Sequence, residues 1–161
     1  MTPEEKAAVL ARFDQAFAQA VPHNAALGIR FADFDGAGVL IDLPYAAHLV
    51  GNPDTGVLHG GAVTALLDAS CGAAVFARIA APLPIATLDL RIDYLRPGEP
   101  KRDVRCRAEC YKVTENVAFV RAVAFHPHAP EDLIASAAGT FILFRKGGKS
   151  AIVEPLAERP S

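Results

Sequence analysis

The spacing of hydrophobic positions changes along the chain, and each change marks a new kind of element. Leu10, Phe13, Phe17 and Val21 recur three or four residues apart, the spacing of side chains that share one face of a helix. Thr2-Pro3-Glu4-Glu5 supplies its start, with Thr2 as cap, Pro3 in the first turn and Glu5 closing a capping box. Pro22 ends or kinks this helix, which is therefore expected over 1–21. From Ile29 the period shortens. Ile29–Phe31 and Val39–Leu43 flank Asp35-Gly36-Ala37-Gly38, the signal of a hairpin of two short strands. A loop rich in Gly, Pro, Asn and Asp follows over 44–56. It leads to a long Ala-rich helical stretch from about Gly60 to Ile79, closed by Pro82 and Pro84.

Beyond that helix the period is two. Leu88, Leu90, Ile92 and Tyr94 alternate with Asp89, Arg91, Asp93 and Leu95, and Arg96-Pro97-Gly98-Glu99-Pro100 makes a turn. Val104, Cys106, Ala108 and Cys110 alternate with Arg105, Arg107, Glu109 and Tyr111. Thr114-Glu115-Asn116 turns the chain into Val117–Phe125, and 126–132 turns it again into Leu133–Phe144. The order predicts an α+β fold, one antiparallel sheet packed against a helix that is apolar nearly all round. The strand faces Val104/Cys106/Ala108 and Ala118/Val120/Ala122/Ala124 are small, which lets a curved sheet close tightly on that helix. No repeat or shift of composition marks a second domain, so 1–161 reads as one domain with a loosely held tail over 147–161.

Composition narrows the function classes. With 161 residues, 52% hydrophobic and 21% charged, the chain can bury a substantial core and is not globally disordered. Its 16 Lys+Arg against 18 Asp+Glu leave a net charge of -2, which offers nucleic acid no general attractive field. The longest apolar windows are broken by Asp68, Arg78 or Pro82, so no membrane span is expected. The acidic start lacks a signal peptide's features, and the 3 cysteines include no CxxC pair, so a reduced, cytoplasmic compartment is expected.

The segment Val57-Leu58-His59-Gly60-Gly61-Ala62-Val63-Thr64-Ala65-Leu66-Leu67-Asp68 carries the chemistry. Two glycines at a helix start leave backbone N–H groups unshielded at the positive end of the helix dipole, where an oxyanion can be stabilised. Asp68 is a lone carboxylate among Ala, Val, Leu, Cys and Phe. Burying an unpaired carboxylate costs several kcal/mol, so such a residue seldom persists without a purpose. Gly61, Thr64, Asp68 and Gly72 share one helical face, so the carboxylate looks out over small residues, as a pocket requires. About eight residues separate the helix mouth from Asp68, roughly 12 Å at 1.5 Å per residue. One reacting carbon cannot touch both. If both serve one substrate, the carboxylate comes from a second copy of the chain, most simply in a two-fold dimer.

The run from Gly56 to Asp68 resembles the signature of the PaaI-type acyl-CoA thioesterases of the hotdog fold. The resemblance extends to Ala26-Leu27-Gly28-Ile29 and to Thr87-Leu88-Asp89-Leu90-Arg91-Ile92-Asp93-Tyr94-Leu95-Arg96-Pro97-Gly98, and it covers about 22–145. It implies a sheet wrapped around the central helix and a homodimer with sheets joined edge to edge, paired further into a homotetramer. It also implies roles. Gly60 would donate its N–H to the thioester carbonyl, with His59 placing that group; Asp68 of the other subunit would be general base or nucleophile. Asn52 and Thr87 match positions that hold the attacking water. Strict alternation puts Thr87 on the face of Asp89, so it reaches the site only where the strand start bends.

Thioester hydrolysis requires neither metal nor redox cofactor, because thiolate is a good leaving group. Coenzyme A would be substrate, with Gly61 beside it and its phosphates near Arg96, Lys101 and Arg102 or near Arg145, Lys146 and Lys149. Two other readings remain open: a hotdog hydratase or dehydratase acting on acyl thioesters, and a non-catalytic acyl-CoA-binding module. His126-Pro127-His128 lacks a nearby acid or thiol and reads as a solvated turn rather than a metal site; Cys71, Cys106 and Cys110 read mainly as small packing residues.

Overall fold

A computed structural model of the chain describes residues 2–35, 38–79 and 83–144. The expected tail and Arg145, Lys146 and Lys149 lie outside the described residues. Helix α1 (Pro3–Phe13) opens with the expected capping box: Thr2 Oγ1 accepts the Glu5 N–H at 3.1 Å, and Glu5 Oε2 accepts the Thr2 N–H at 2.7 Å. It does not run unbroken to Pro22. Residues Asp14–Gln19 wind as a π-helix, and Pro22 begins a further helix, α2 (Pro22–Leu27), which Gly28 ends at φ 71°. Side chains pin the widened turn. Asp14 Oδ1 accepts the Phe31 N–H at 2.9 Å, and the buried Asn24 donates from Nδ2 to the Phe17 carbonyl at 2.9 Å. Such a bulge re-aims the helix face that follows it, here the face bearing Phe17.

Strands β1 (Arg30–Asp35) and β2 (Gly38–Leu43) pair antiparallel as the hairpin expected. The 44–56 segment is more ordered than a loop. It holds a 3₁₀ turn (Ala47–Leu49) and strand β3 (Val50–Asn52), which pairs with β4 (Val57–Leu58). Helix α3 (Gly60–Ile79) comes next, then β5 (Ile85–Tyr94), β6 (Val104–Val113), β7 (Val117–His126) and β8 (Ala129–Leu143). The six long strands form one antiparallel sheet in the order β1-β2-β6-β7-β8-β5. The sheet curls around α3, the arrangement that the resemblance implies.

Small side chains make the wrap possible. Cys106, Ala108, Ala118, Val120 and Ala124 are fully buried and meet Leu66, Leu67, Cys71, Ala73 and Val75 of α3, which are buried as completely. By length and composition α3 could cross a membrane, yet it is mostly buried within this fold and is its core helix. Outside the core, Arg105 grips Asp42 on the facing strand with two bonds of 2.6 and 2.8 Å, a bidentate pair that fixes the β2–β6 register.

Burial pushes the thiols of Cys71, Cys106 and Cys110 up, Cys106 to about 12, so they stay protonated at neutral pH. A charged thiol reagent is therefore expected to leave all three unlabelled in the native protein and to modify all three after denaturation. Labelling read by intact-mass measurement checks this, and rapid native labelling would contradict the burial of these side chains.

His126 is buried rather than solvated, which corrects the sequence expectation. Its Nε2 accepts the Glu99 N–H at 2.8 Å, so Nδ1 carries the proton and donates to the Asp103 carbonyl at 2.8 Å. Both ring nitrogens are thus spent on the β5–β6 connection, leaving none for a metal, and His128 stacks on the ring at 5.5 Å. The chain contacts that consume this histidine lie far apart in sequence, so local spacing could not reveal them.

Candidate active site

The N-terminus of α3 is built by three consecutive residues. The His59 N–H donates to the Leu49 carbonyl at 2.8 Å, which ties the helix mouth to the turn before β3. His59 Nδ1 accepts the Gly61 N–H at 2.9 Å, and the His59 carbonyl accepts the Ala62 N–H at 2.9 Å. Among the described residues no acceptor takes the Gly60 N–H. Of the two glycine amides, then, Gly60 presents a free donor at the positive end of a 20-residue helix, while Gly61 is already bonded. Both glycines are exposed.

Tyr94, at the end of β5, braces this turn. Its hydroxyl donates to the Gly60 carbonyl at 2.6 Å, so the Thr64 hydroxyl must donate to it across 2.8 Å. Sequence reasoning did not single out Tyr94 as a site residue. The signal was present in its parity with Leu90 and Ile92, the side of β5 that faces α3.

Asp68 lies two turns along the same helix, half-buried, in a cavity of about 840 Å³. Gly61, Thr64 and Gly72 line the same cavity, as the helical period requires. The carboxylate is not unpaired: Thr87 Oγ1 donates to Asp68 Oδ1 at 2.9 Å. Thr87 reaches it because β5 is bulged. Thr87 faces Phe141 and Asp89 faces Thr140 on β8, so Leu88 is an extra residue without a partner. The bulge reverses the parity, turning Thr87 inward with Leu90 and Ile92 and leaving Leu88 exposed, against the simple alternation that placed Leu88 with Leu90. Gly139 accommodates it, since a Cβ there would stand 2.5 Å from the Asp89 carbonyl oxygen.

The other expected residues lie elsewhere in the protomer. Asn52 is exposed and closes its own turn, its Oδ1 accepting the Asp54 N–H at 3.0 Å; it does not line the Asp68 cavity. The Arg96 guanidinium is spent on the Pro97 carbonyl at 3.1 Å, the Asp132 carbonyl at 2.8 Å and the Asp132 carboxylate at 2.9 Å. Lys101, exposed at a positive φ of 58°, makes no ion pair among the described residues, and Arg102 approaches Glu99 at 3.7 Å. His23 and Phe17, from the segment ahead of the sheet, also line the cavity.

Residues 55–129 match the profile of the thioesterase superfamily. A Halobacterium salinarum protein named as an esterase is 30% identical over 128 residues, 74% of this chain and 82% of its own length. The chain belongs to the thioesterase superfamily. The medium/long-chain acyl-CoA thioesterase YigI of Salmonella typhimurium is 29% identical over 140 residues, 79% of this chain and 88% of that one. Among solved structures, a Pseudomonas aeruginosa protein is 41% identical with a TM-score of 0.74, covering 83% of this thioesterase and 98% of its own chain. A mutant of the phenylacetic acid degradation protein PaaI of Thermus thermophilus is 25% identical with a TM-score of 0.64, covering 75% and 97%. The fold is thus the hotdog fold of the PaaI-like thioesterases.

Proposed function

We propose that this thioesterase hydrolyses acyl-CoA to free acid and CoA in a site shared by two copies of the chain. The observation that carries the reading is the pairing of a half-buried carboxylate, Asp68, with an oriented hydroxyl, Thr87, in a cavity on the helix whose mouth presents the free Gly60 N–H. The roughly 12 Å between the two along one helix separates them too far for one carbonyl, so a partner's Asp68 faces each Gly60. Strand β5 supports such pairing. It is an edge strand of 10 residues, with Leu88 exposed at its bulge at 48%. The backbone groups along one side of a long edge strand are free to pair with another strand. Pairing of dimers into a tetramer would use the outward strip of Asp89, Arg91 and Asp93.

In the reaction the Asp68 carboxylate takes a proton from water as the water oxygen attacks the thioester carbon. Negative charge moves to the carbonyl oxygen, where the partner's Gly60 amide stabilises it. Collapse breaks the carbon–sulfur bond, and the departing CoA thiolate takes up the proton. Direct attack by Asp68, forming an anhydride that water then opens, uses the same carboxylate. Lys101, which makes no ion pair among the described residues, would take a CoA phosphate. The catalysis needs no metal or redox cofactor, and the expected compartment is the cytoplasm.

A hydratase needs a proton donor opposite the acid, and His23 in the Asp68 cavity is the group that would serve. One assay separates the readings. Acyl-CoA mixed with the protein is expected to release free thiol, with specific activity falling as dilution dissociates the dimer. Change in enoyl absorbance without thiol would establish the hydratase, and tight binding with neither would establish a carrier.

A further inference from the structure

A second cavity, of about 760 Å³, lies beneath the N-terminal helical segment, and Phe17 and Phe76 line both it and the Asp68 cavity. The two rings meet edge to face, 5.6 Å apart at 70°. They form a partition between two chambers rather than the floor of one. We infer that an unbranched aliphatic acyl chain runs from the thioester at Asp68 past Phe17 and Phe76 into this outer chamber, making long-chain acyl-CoA the preferred substrate class. The inference rests on the hydrolytic reading above and adds the route and the residues that set chain length.

Two features support that occupant. The outer chamber is lined by Phe13, Phe31, Phe34, Val9 and Val39, and among the described lining residues Arg12 alone carries charge. That lining suits methylene groups and offers a polar acyl group no hydrogen-bond partner beyond Arg12. In addition, the π-helix at Asp14–Gln19 carries Ala16 and Phe17, so the irregular turn falls where the two chambers join. A planar aromatic acyl group would stop at the Phe17–Phe76 partition; a flexible chain can pass it.

The test measures kcat/KM for butyryl-, octanoyl- and dodecanoyl-CoA with the full chain and with Ala77→Trp and Ala16→Trp. Both alanines line the outer chamber and are exposed, so added bulk fills the chamber without invading the core. For the unmodified protein kcat/KM should climb with chain length, by up to about fourfold per buried methylene. The dodecanoyl-to-butyryl ratio should fall at least tenfold in either variant. An unchanged ratio in both variants would overturn the channel while leaving hydrolysis standing. If no acyl-CoA is cleaved, the hydrolytic reading fails by itself. Calorimetric binding of dodecyl-CoA and butyl-CoA thioethers, which need no turnover, then supplies the same ratio and decides the channel.

Discussion

Asp68→Asn is expected to lower kcat for acyl-CoA hydrolysis by about 10²–10⁴-fold, the usual contribution of a positioned general base, with the melting temperature nearly unchanged. The substitution keeps shape and volume. Asn Oδ1 can still accept the Thr87 hydroxyl, which now bonds Asp68 Oδ1 at 2.9 Å. The other oxygen has no hydrogen-bond partner among the described residues and faces the cavity; an amide nitrogen there donates where the reaction needs an acceptor. Burst-free thiol release over a range of pH, beside a thermal melt, reads both quantities. Wild-type turnover in the variant would remove Asp68 from the reaction. A collapse of kcat with an intact melt also excludes loss of fold as the cause.

The second large effect is expected far from any reacting atom. Gly139 of β8 faces Leu90 of β5, and a Cβ there would lie 2.5 Å from the Asp89 carbonyl oxygen and 3.0 Å from Leu90 Cδ1. The nearer of these atoms is backbone, so Gly139→Ala must push β5 away at the bulge. Overpacking of this kind costs about 1–3 kcal/mol. The displaced segment begins with Thr87, so kcat should fall as well, roughly tenfold if the hydrogen bond to Asp68 is lost. The two effects can be told apart from simple destabilisation by a double mutant. In a Thr87→Val background the melting temperature should still drop on adding Gly139→Ala, but kcat should not fall further. A full additional loss of kcat there would show that Gly139 acts by some route other than Thr87.

Much of the fold was legible because it follows from local chemistry. The capping box at Thr2 and Glu5, the long helix Gly60–Ile79 and the strands on either side of 96–103 all express periods or caps contained in a few neighbouring residues. The placement of the candidate residues was legible in the same way, since Gly60 and Asp68 lie on one helix, with His59 just ahead of it, and their separation follows from its spacing. The misreadings have a common origin. The single helix over 1–21 fails at a π turn pinned by a bond from Phe31 to Asp14. The solvated reading of His126 fails because its partners, Glu99 and Asp103, come from another connection.

By itself, then, the sequence determined which residues form the central helix, that its mouth exposes amides, and that a carboxylate lies two turns beyond. Tertiary structure decided which amide stays free, which hydroxyl reaches the carboxylate and which two rings line both cavities. Those outcomes depend on contacts between distant segments: Gly139 of β8 admitting a bulge in β5, Tyr94 bracing Gly60, and Phe17 meeting Phe76. A period of two or 3.6 records how a chain repeats along its own axis. It holds no information on the single extra residue that reverses a strand's faces, because what permits that residue is space left by a glycine on another strand.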